Sequence, residues 1–391
     1  MQHLARPLDT AAFLDAVRSV LPAQDKPYQL HEPCFSGNEW KYAKECLDTG
    51  WVSSVGKFVD DFEKRLADYT GVRRAVVTVN GTAALHLALK MTGVEPGDEV
   101  LVPALTFVAP ANAVSYCGAV PHFVDSESKT LGVDPAKLKE YMDASFAMKN
   151  GVCFNRKTSR RVKALVVMHV FGHPVRLEET AAVCREFGID LIEDAAEALG
   201  SFYRGKHVGH WGKFTALSFN GNKIVTTGGG GAILTGDEAV GAAIKHIVTT
   251  AKLPHAWEFN HNRIGYNYRM PNINAALGVA QLEELPCFLE KKRLLASRYK
   301  KAFAAVPGAH FVDEPDGALS NFWLNAVLLD DVRKNERDAL LAALHQSGVK
   351  ARPVWTLMHK LPMFQACPRM NLDAAENLEA RLVNLPSSAF L

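Results

Sequence analysis

The chain alternates short apolar runs with helix-like segments. Five of the runs are found at 75–79, 99–102, 121–124, 164–170 and 190–192. Segments with helical spacing lie between them, starting at Thr82, near Ala109 and at Leu177–Phe187. This alternation predicts parallel strands joined by right-handed crossover helices. We therefore expect an α/β fold with a mostly parallel central sheet.

The pattern changes at both ends of the chain. Apolar positions from Ala12 to Leu21 recur at helical spacing, so residues 1–30 are expected to be an N-terminal helix and linker. Residues 31–270 form the predicted large domain, which ends with short strands at Phe214–Phe219 and Gly231–Leu234. Residues 271–391 form a predicted smaller C-terminal α/β domain, whose elements are two helices at Ala275–Leu285 and Glu336–Gln346 and a strand at Phe322–Leu328.

Composition excludes several classes of protein. Among 391 residues, 44 Lys and Arg balance 42 Asp and Glu, so nothing indicates a nucleic-acid binder. No run of roughly 18 apolar residues predicts a membrane span or a signal peptide. The 7 cysteines include no Cys-x-x-Cys pair, which favours reduced thiols and a cytoplasmic location.

Three patterns look like functional motifs but are not expected to be functional sites. Gly200–His207 has the spacing of a nucleotide-binding P-loop but ends in His where a Ser or Thr hydroxyl is needed. His169 and His173 lie four residues apart, yet Gly and Pro around them argue against a helix, and we expect no metal. The basic stretch Asn155–Arg161 is expected to be a solvated loop.

One lysine lies where an imine-forming amine would be useful. Lys223 follows a strand and precedes four glycines, Gly228–Gly231. Alone, such a lysine is more often a solvated loop residue. Pyridoxal phosphate chemistry needs a lysine amine and a carboxylate at the pyridine nitrogen. Asp194 ends an apolar strand at the sheet edge where ligands bind in α/β proteins, although a helix N-cap is an equally good interpretation.

The phosphate of such a cofactor needs backbone N–H groups at a helix start. Gly81 and Thr82 follow a strand and open a helix, and Gly81 would let the backbone approach closely. Ser218 offers a further hydroxyl. Phe107 follows another strand and could stack on the pyridine ring, although by itself it would be a core residue. The ordered set of anion loop, aromatic ring, carboxylate and lysine predicts a pyridoxal phosphate site.

These residues, with several longer motifs, resemble the DegT-type sugar-nucleotide aminotransferases of pyridoxal phosphate fold type I. The motifs are His31-Glu-Pro, Gly50-Trp-Val-Ser-Ser-Val-Gly, Asn80-Gly-Thr, Pro103 to Phe107, Glu193-Asp-Ala-Ala-Glu-Ala-Leu-Gly, Ser218 to Lys223, Gly265-Tyr-Asn-Tyr-Arg-Met and Ala275-Ala-Leu-Gly. The sequence departs from many members at Gly229, where they have Glu.

The resemblance implies a role for each site residue. Lys223 would form the imine, Asp194 would bind the ring nitrogen and Glu197 would lie near the ring hydroxyl. Gly81, Thr82 and Ser218 would bind the phosphate. The resemblance also implies a homodimer with shared active sites, because Asn267 would reach the phosphate from the second subunit.

The substrates follow from the same resemblance. Glutamate would donate an amino group to C4 of a nucleotide-linked 4-keto-6-deoxy sugar for surface glycan biosynthesis, including lipopolysaccharide. The N-terminal helix, the segment that starts at His31 and the basic stretch Asn155–Arg161 most resemble one subgroup. That subgroup acts on a UDP-linked 2-acetamido-2,6-dideoxy-4-keto-hexose, as in legionaminic-acid-type pathways. An alternative substrate is GDP-4-keto-6-deoxymannose, whose amination would give perosamine. Two alternative functions are a non-catalytic regulator with the same fold and an enzyme that acts on amino acids alone. Candidate sugar-binding residues are Trp51, Ser53, Arg352, Trp355 and His359.

Overall fold

Strands and helices of the chain are defined in a computed structural model that describes residues 8–330 and 334–391. The strands are β1 (Arg74–Thr78), β2 (Glu99–Pro103), β3 (Val120–Val124), β4 (Phe146–Lys149), β5 (Val152–Asn155), β6 (Val162–Met168), β7 (Asp190–Asp194), β8 (Phe202–Tyr203), β9 (Lys206–His207), β10 (Phe214–Ser218), β11 (Gly231–Thr235), β12 (Ala309–Phe311), β13 (Ala318–Leu319), β14 (Asn325–Leu329), β15 (Arg352–Pro353) and β16 (Leu382–Leu385). The α-helices are α1 (Thr10–Val20), α2 (Glu39–Thr49), α3 (Lys57–Thr70), α4 (Gly81–Thr92), α5 (Val108–Tyr116), α6 (Pro135–Ser145), α7 (Leu177–Glu186), α8 (Glu238–Val248), α9 (Asn272–Phe303), α10 (Lys334–Gln346) and α11 (Asp373–Arg381). Short 3₁₀ turns cover Val170–Gly172, Met358–Lys360 and Pro362–Phe364.

The central sheet has seven strands in the order β1-β11-β10-β7-β6-β2-β3. Neighbours from β10 to β3 pair in parallel, whereas β11 runs against both β10 and β1. The inner strands are buried on both faces, which is why they read as continuous apolar runs. The predicted α/β fold with a mostly parallel sheet is therefore confirmed.

A second sheet, β12-β14-β16-β15, is antiparallel and lies in the C-terminal part of the chain. Helix α1 packs there, because Phe13 and Val17 share a buried core with Phe303 and Leu329. The first half of α9 instead joins the core of the central sheet. The division at residues 30 and 270 stays a prediction.

Several sequence-based boundaries were wrong. The helix expected at Ala275–Leu285 extends over Asn272–Phe303 and passes through Pro286. Proline removes one backbone hydrogen bond, and the buried positions that follow it, among them Phe288 and Leu295, keep the helix packed. The strand expected at Phe322–Leu328 begins only at Asn325, because Phe322 has a left-handed backbone with φ 46°.

The three tempting patterns have structural explanations. The P-loop-like segment forms strands β8 and β9 and opens no helix, so its resemblance to a nucleotide loop was accidental, as expected. The Nε2 atom of His169 lies 3.1 Å from Glu193, and the residues between His169 and His173 form a 3₁₀ turn. The basic stretch was only partly a solvated loop, since Asn155 is buried and donates to Glu99 at 2.8 Å.

The described residues contain neither a membrane-spanning helix nor a cluster of metal ligands. No helix in residues 8–330 and 334–391 is long and apolar enough to cross a membrane. Within the same ranges, no three His, Cys, Asp or Glu side chains converge in a way that could hold a metal ion.

One buried lysine in α9 should make the free energy of unfolding depend on pH. Lys292 is fully enclosed and donates hydrogen bonds to the carbonyl oxygens of Trp323 and Ser387. Burial lowers its pKa to about 7. The unfolded chain therefore binds a proton that the folded chain lacks between pH 7 and roughly 10, so stability should rise with pH across that window.

We expect Lys292→Met to remove this rise. Between pH 7 and pH 9 the wild type should gain about 2 kcal/mol in unfolding free energy relative to the variant. Urea denaturation at pH 7, 8 and 9 measures the difference, with the exposed neighbour Lys291→Met as the matched control. Parallel pH profiles for the wild type and Lys292→Met would contradict the assignment.

Candidate active site

A cavity of about 350 Å³ opens at the carboxyl edge of the central sheet. Strands β7 and β10 end there, at Asp194 and Ser218, and helix α4 begins there after β1. Ligands of open α/β sheets bind at this edge. Every residue predicted to bind the cofactor lines the cavity except Asn267: these are Gly81, Thr82, Phe107, Asp194, Glu197, Ser218 and Lys223.

One end of the cavity is built to bind an anion. The Asn80 side chain caps α4 by accepting from the Ala83 N–H at 2.8 Å. The N–H groups of Gly81 and Thr82, at the first helical positions, have no acceptor within the helix and are available to a ligand. A Cβ at Gly81 would lie 2.9 Å from Ser218 Cβ, so only glycine lets this helix start pack against the end of β10.

The other end contains a buried carboxylate. Asp194 is 3% exposed and accepts the Ala196 N–H at 3.1 Å. Burial raises the pKa of Asp194, while the Ala196 hydrogen bond and the charge of Lys223 oppose the rise. A cationic N–H donor in the cavity would favour the ionised carboxylate. A protonated pyridine nitrogen is such a donor.

Lys223 lies against a second buried carboxylate. Its Nζ donates to Glu197 Oε1 at 3.2 Å, and the other Glu197 oxygen accepts the Phe171 N–H at 2.9 Å. Burial raises the pKa of Glu197, and the neighbouring Lys223 charge opposes this shift. The Lys223 side chain is 13% exposed, so it is a cavity residue and not a solvated loop residue.

Trp323 is a site residue that was not predicted from the sequence. Its ring lies beneath the Lys223 ammonium, with Nζ 4.0 Å from the ring centroid, and it also lines the cavity. Trp323 falls in a run that has the composition of a strand, but the left-handed backbone of the preceding Phe322 keeps this part of the run out of a strand. No local sequence pattern encodes that geometry.

Two of the five predicted sugar-binding residues line the same cavity. Arg352 enters from β15, and within the described parts of the chain its guanidinium has no hydrogen bond or ion pair. Burial lowers the pKa of Arg352, and Glu197 opposes that change. The Trp355 ring stands 6.4 Å from that of Phe107, edge to face. An unpaired cation beside two aromatic rings is suited to an anionic substrate that carries rings.

The remaining predicted residues do not line this cavity in the single chain. Trp51 lines a separate cavity of about 400 Å³ between α2 and α3, and Ser53 is exposed. His359 faces Glu376, with Nε2 3.1 Å from its carboxylate. Asn267 is exposed and accepts from Arg269 at 3.0 Å. Their roles in binding stay predictions.

These residues fit pyridoxal phosphate. The open N–H groups of α4 suit its phosphate, the buried carboxylate of Asp194 suits its ring nitrogen, and Lys223 presents an amine to the same cavity. When bound, this cofactor supplies an aldehyde that links to amines and a ring that accepts electrons.

Known proteins are similar to this chain over most of its length. The sequence profile of the DegT/DnrJ/EryC1/StrS aminotransferase family matches residues 33–391. The chain is 38% identical over 362 residues to a GDP-perosamine synthase of Caulobacter vibrioides, covering 92% of each protein. It is 36% identical over 358 residues to a GDP-perosamine synthase of Escherichia coli O157:H7, again covering 92% of each. The structure of the aminotransferase TlmJ from Streptoalloteichus hindustanus matches with a TM-score of 0.84 and 28% identity, over 93% of this chain and 94% of TlmJ.

The anion end of the cavity can be tested at Gly81. Because an added methyl group would push the start of α4 away from Ser218, we expect Gly81→Ala to weaken binding of pyridoxal phosphate about tenfold. Titration of the cofactor-free protein, followed by visible absorbance, measures the Kd. The control is Gly236→Ala, where the added Cβ meets nothing within 4 Å and φ is ordinary. Equal affinity in both variants would show that the phosphate does not bind at this helix start.

Proposed function

Because the chain belongs to the DegT/DnrJ/EryC1/StrS family and is a pyridoxal phosphate-dependent sugar aminotransferase, we propose that it transfers an amino group from glutamate to C4 of GDP-4-keto-6-deoxymannose. The observation that carries this choice is the similarity to two GDP-perosamine synthases over 92% of the chain. The product would be a GDP-linked 4-amino sugar for surface polysaccharides.

The two GDP-perosamine synthases match the GDP-linked alternative better than the UDP-linked sugar that the resemblance favoured. The motifs behind that preference are the N-terminal helix, the His31 segment and the basic stretch Asn155–Arg161. The structure offers a structural reason for one of them, since Asn155 binds the buried Glu99 and fixes a turn outside the cavity. We therefore prefer the GDP sugar, which the sequence analysis held as the alternative.

Lys223 is the proposed proton carrier in both half-reactions. Its Nζ would take the proton from Cα of glutamate in the first and deliver a proton to C4 of the sugar in the second. Asp194 would keep the cofactor's ring nitrogen protonated. The net reaction exchanges the amino group of glutamate for the keto oxygen of the sugar, leaving 2-oxoglutarate. A regulator that only binds a ligand would have no use for an amine and a buried carboxylate in this arrangement.

Recognition of the nucleotide sugar is proposed for the outer half of the cavity. Arg352 would bind the diphosphate, while Trp355 and Phe107 would contact sugar or base rings. Trp51, Ser53 and His359 remain proposed contacts that need a second subunit or a change in the surrounding loops.

We further propose that the enzyme is a homodimer that acts in the cytoplasm. The segment leading to Asn267 has side chains that are strongly exposed despite being apolar, with Trp257 78%, Phe259 75% and Ile264 88% exposed. Covering this surface with a second copy would bury it and bring Asn267 towards the neighbouring site. All seven cysteines are free, which supports a reducing compartment.

The substrate assignment is tested with a panel of nucleotide-linked 4-keto sugars. With glutamate as donor, we expect amination of GDP-4-keto-6-deoxymannose at least tenfold faster, in kcat/KM, than of the UDP- and dTDP-linked sugars, with the product identified by NMR. Lys223→Ala should give no repeated turnover with any sugar. Preferential amination of a UDP sugar would replace the proposed substrate and leave the reaction class intact.

Shared active sites are tested by complementation. Asn267→Leu and Lys223→Ala would each be inactive as homodimers. A heterodimer purified through two different tags should recover about half of the wild-type activity if Asn267 serves the neighbouring subunit, because one of its two sites then has both native residues. If Asn267 serves its own site, the heterodimer has no intact site. Full activity of the Asn267→Leu homodimer, or a monomeric mass by light scattering, would contradict the proposal that two subunits share their active sites.

A further inference from the structure

The amine of Lys223 lies close to two groups that attract a cation. Glu197 Oε1 is 3.2 Å from Nζ, and the centroid of the Trp323 ring is 4.0 Å from the same atom. We propose that Glu197 and Trp323 form a lysine cradle that holds this amine while it is released from the cofactor. Trp323 is the new positioning residue in this arrangement.

Trp323 is held rigidly in place. Its Nε1–H donates to the carbonyl oxygen of Asn222 at 2.8 Å, and its backbone N–H donates to Asn321 Oδ1 at 2.8 Å. Its own carbonyl accepts from the buried Lys292 at 3.1 Å. The preceding Phe322 adopts a left-handed backbone, which is unfavourable for an aromatic residue and persists only where the surroundings enforce it. These hydrogen bonds and the backbone conformation of Phe322 therefore hold the Trp323 ring against Lys223.

Asn321 ties the two sides of the cradle together. Its Nδ2 donates to the carbonyl oxygens of Glu197 and Leu199, both at 2.9 Å, while its Oδ1 accepts from Trp323. Asn321 is fully buried. Glu197 and Trp323 therefore cannot move apart without breaking hydrogen bonds of one enclosed side chain.

The proposed reaction requires the Lys223 amine to be held in position while it is free. In each half-reaction the amine is displaced, carries a proton between carbon atoms and must then return. A lysine side chain is long and flexible, and ordering it in advance keeps the amine within reach of the reacting carbon. The Glu197 carboxylate and the Trp323 indole ring would stabilise the free ammonium group of Lys223 inside the cavity. Cation–π attraction is stronger there than at an exposed surface.

The first test uses the cofactor-free protein and needs no sugar. Labelling of Lys223 by trinitrobenzenesulfonate, located by peptide mass spectrometry, reports how firmly the amine is held. Trp323→Phe keeps an aromatic face, whereas Trp323→Met keeps a bulky side chain without one. We expect Trp323→Met to label Lys223 about fivefold faster than the wild type and Trp323→Phe to stay within about twofold.

Two comparisons keep this result interpretable. Trp355→Met removes the same ring type from another residue of the cavity lining, which has no hydrogen bond or cation–π contact with Lys223 among the described residues, and should leave labelling within about twofold of wild type. Thermal melting identifies any variant that has not folded. The labelling rate of the Trp323 variant that does fold is then compared with that of the wild type. Equal labelling of the Met and Phe variants would overturn the cradle, because the ring would then act only by its bulk.

The second test follows proton transfer in the holoenzyme. In a single turnover with glutamate, deuterium at Cα should slow the loss of the visible band more in Trp323→Met than in the wild type or in Trp323→Phe, because a poorly held amine makes proton transfer more rate-limiting. An unchanged isotope effect together with a lower rate would assign Trp323 a purely structural role. Both tests stand whichever sugar nucleotide proves to be the substrate.

Discussion

The burial of two carboxylates, Asp194 and Glu197, in one cavity is the constraint on which this site depends. Asp194 and Glu197 are both buried, and burial raises the pKa of each. Each carboxylate accepts only one backbone N–H, from Ala196 and from Phe171 respectively, among the hydrogen bonds of the described backbone. The remaining acceptor capacity is directed to cations. Lys223 meets Glu197, and a cofactor with a protonated ring nitrogen and an anionic phosphate would complete the balance between Asp194 and the start of α4.

The strand period explains how neighbouring acids acquire different roles. Glu193 and Asp194 are adjacent in β7, so their side chains point to opposite faces of the sheet. Burial by itself would raise the pKa of Glu193, but hydrogen bonds from His169 and from the N–H groups of Gly212 and Gly209 outweigh it and lower the pKa. Glu193 is thereby committed to structure. Asp194, with far fewer donors and Met168 and Ala216 beside it in the sheet, remains available to a ligand.

Sequence reasoning succeeded where chemistry follows directly from local pattern. The strand ends that carry Asp194 and Ser218, and the glycine that opens α4, could be recognised because parallel strands present their carboxyl ends at one edge. Trp323 could not, since its position depends on a left-handed residue and on a buried Asn321 that bonds to a segment more than 100 residues earlier. The continuation of α9 through Pro286 was likewise decided by packing on both sides of the proline. Trp51, Ser53 and Asn267 lie outside the cavity of one chain, and their predicted roles depend on a second subunit that the fold of a single chain does not include.

The cavity is assembled from two parts of the fold, and this division has consequences for specificity. Asp194 and Ser218 line the cavity from the ends of central-sheet strands, whose register is fixed on both sides by hydrogen-bonded neighbours. Arg352 and Trp355 line it from the C-terminal sheet and from the loop that follows β15. β15 is an edge strand that pairs only with β16 among the described strands, so its loop can change with little effect on β7 or β10. Variation in the sugar substrate is therefore expected to accumulate around β15, while Lys223, Asp194 and the Asn321 network keep the chemistry unchanged.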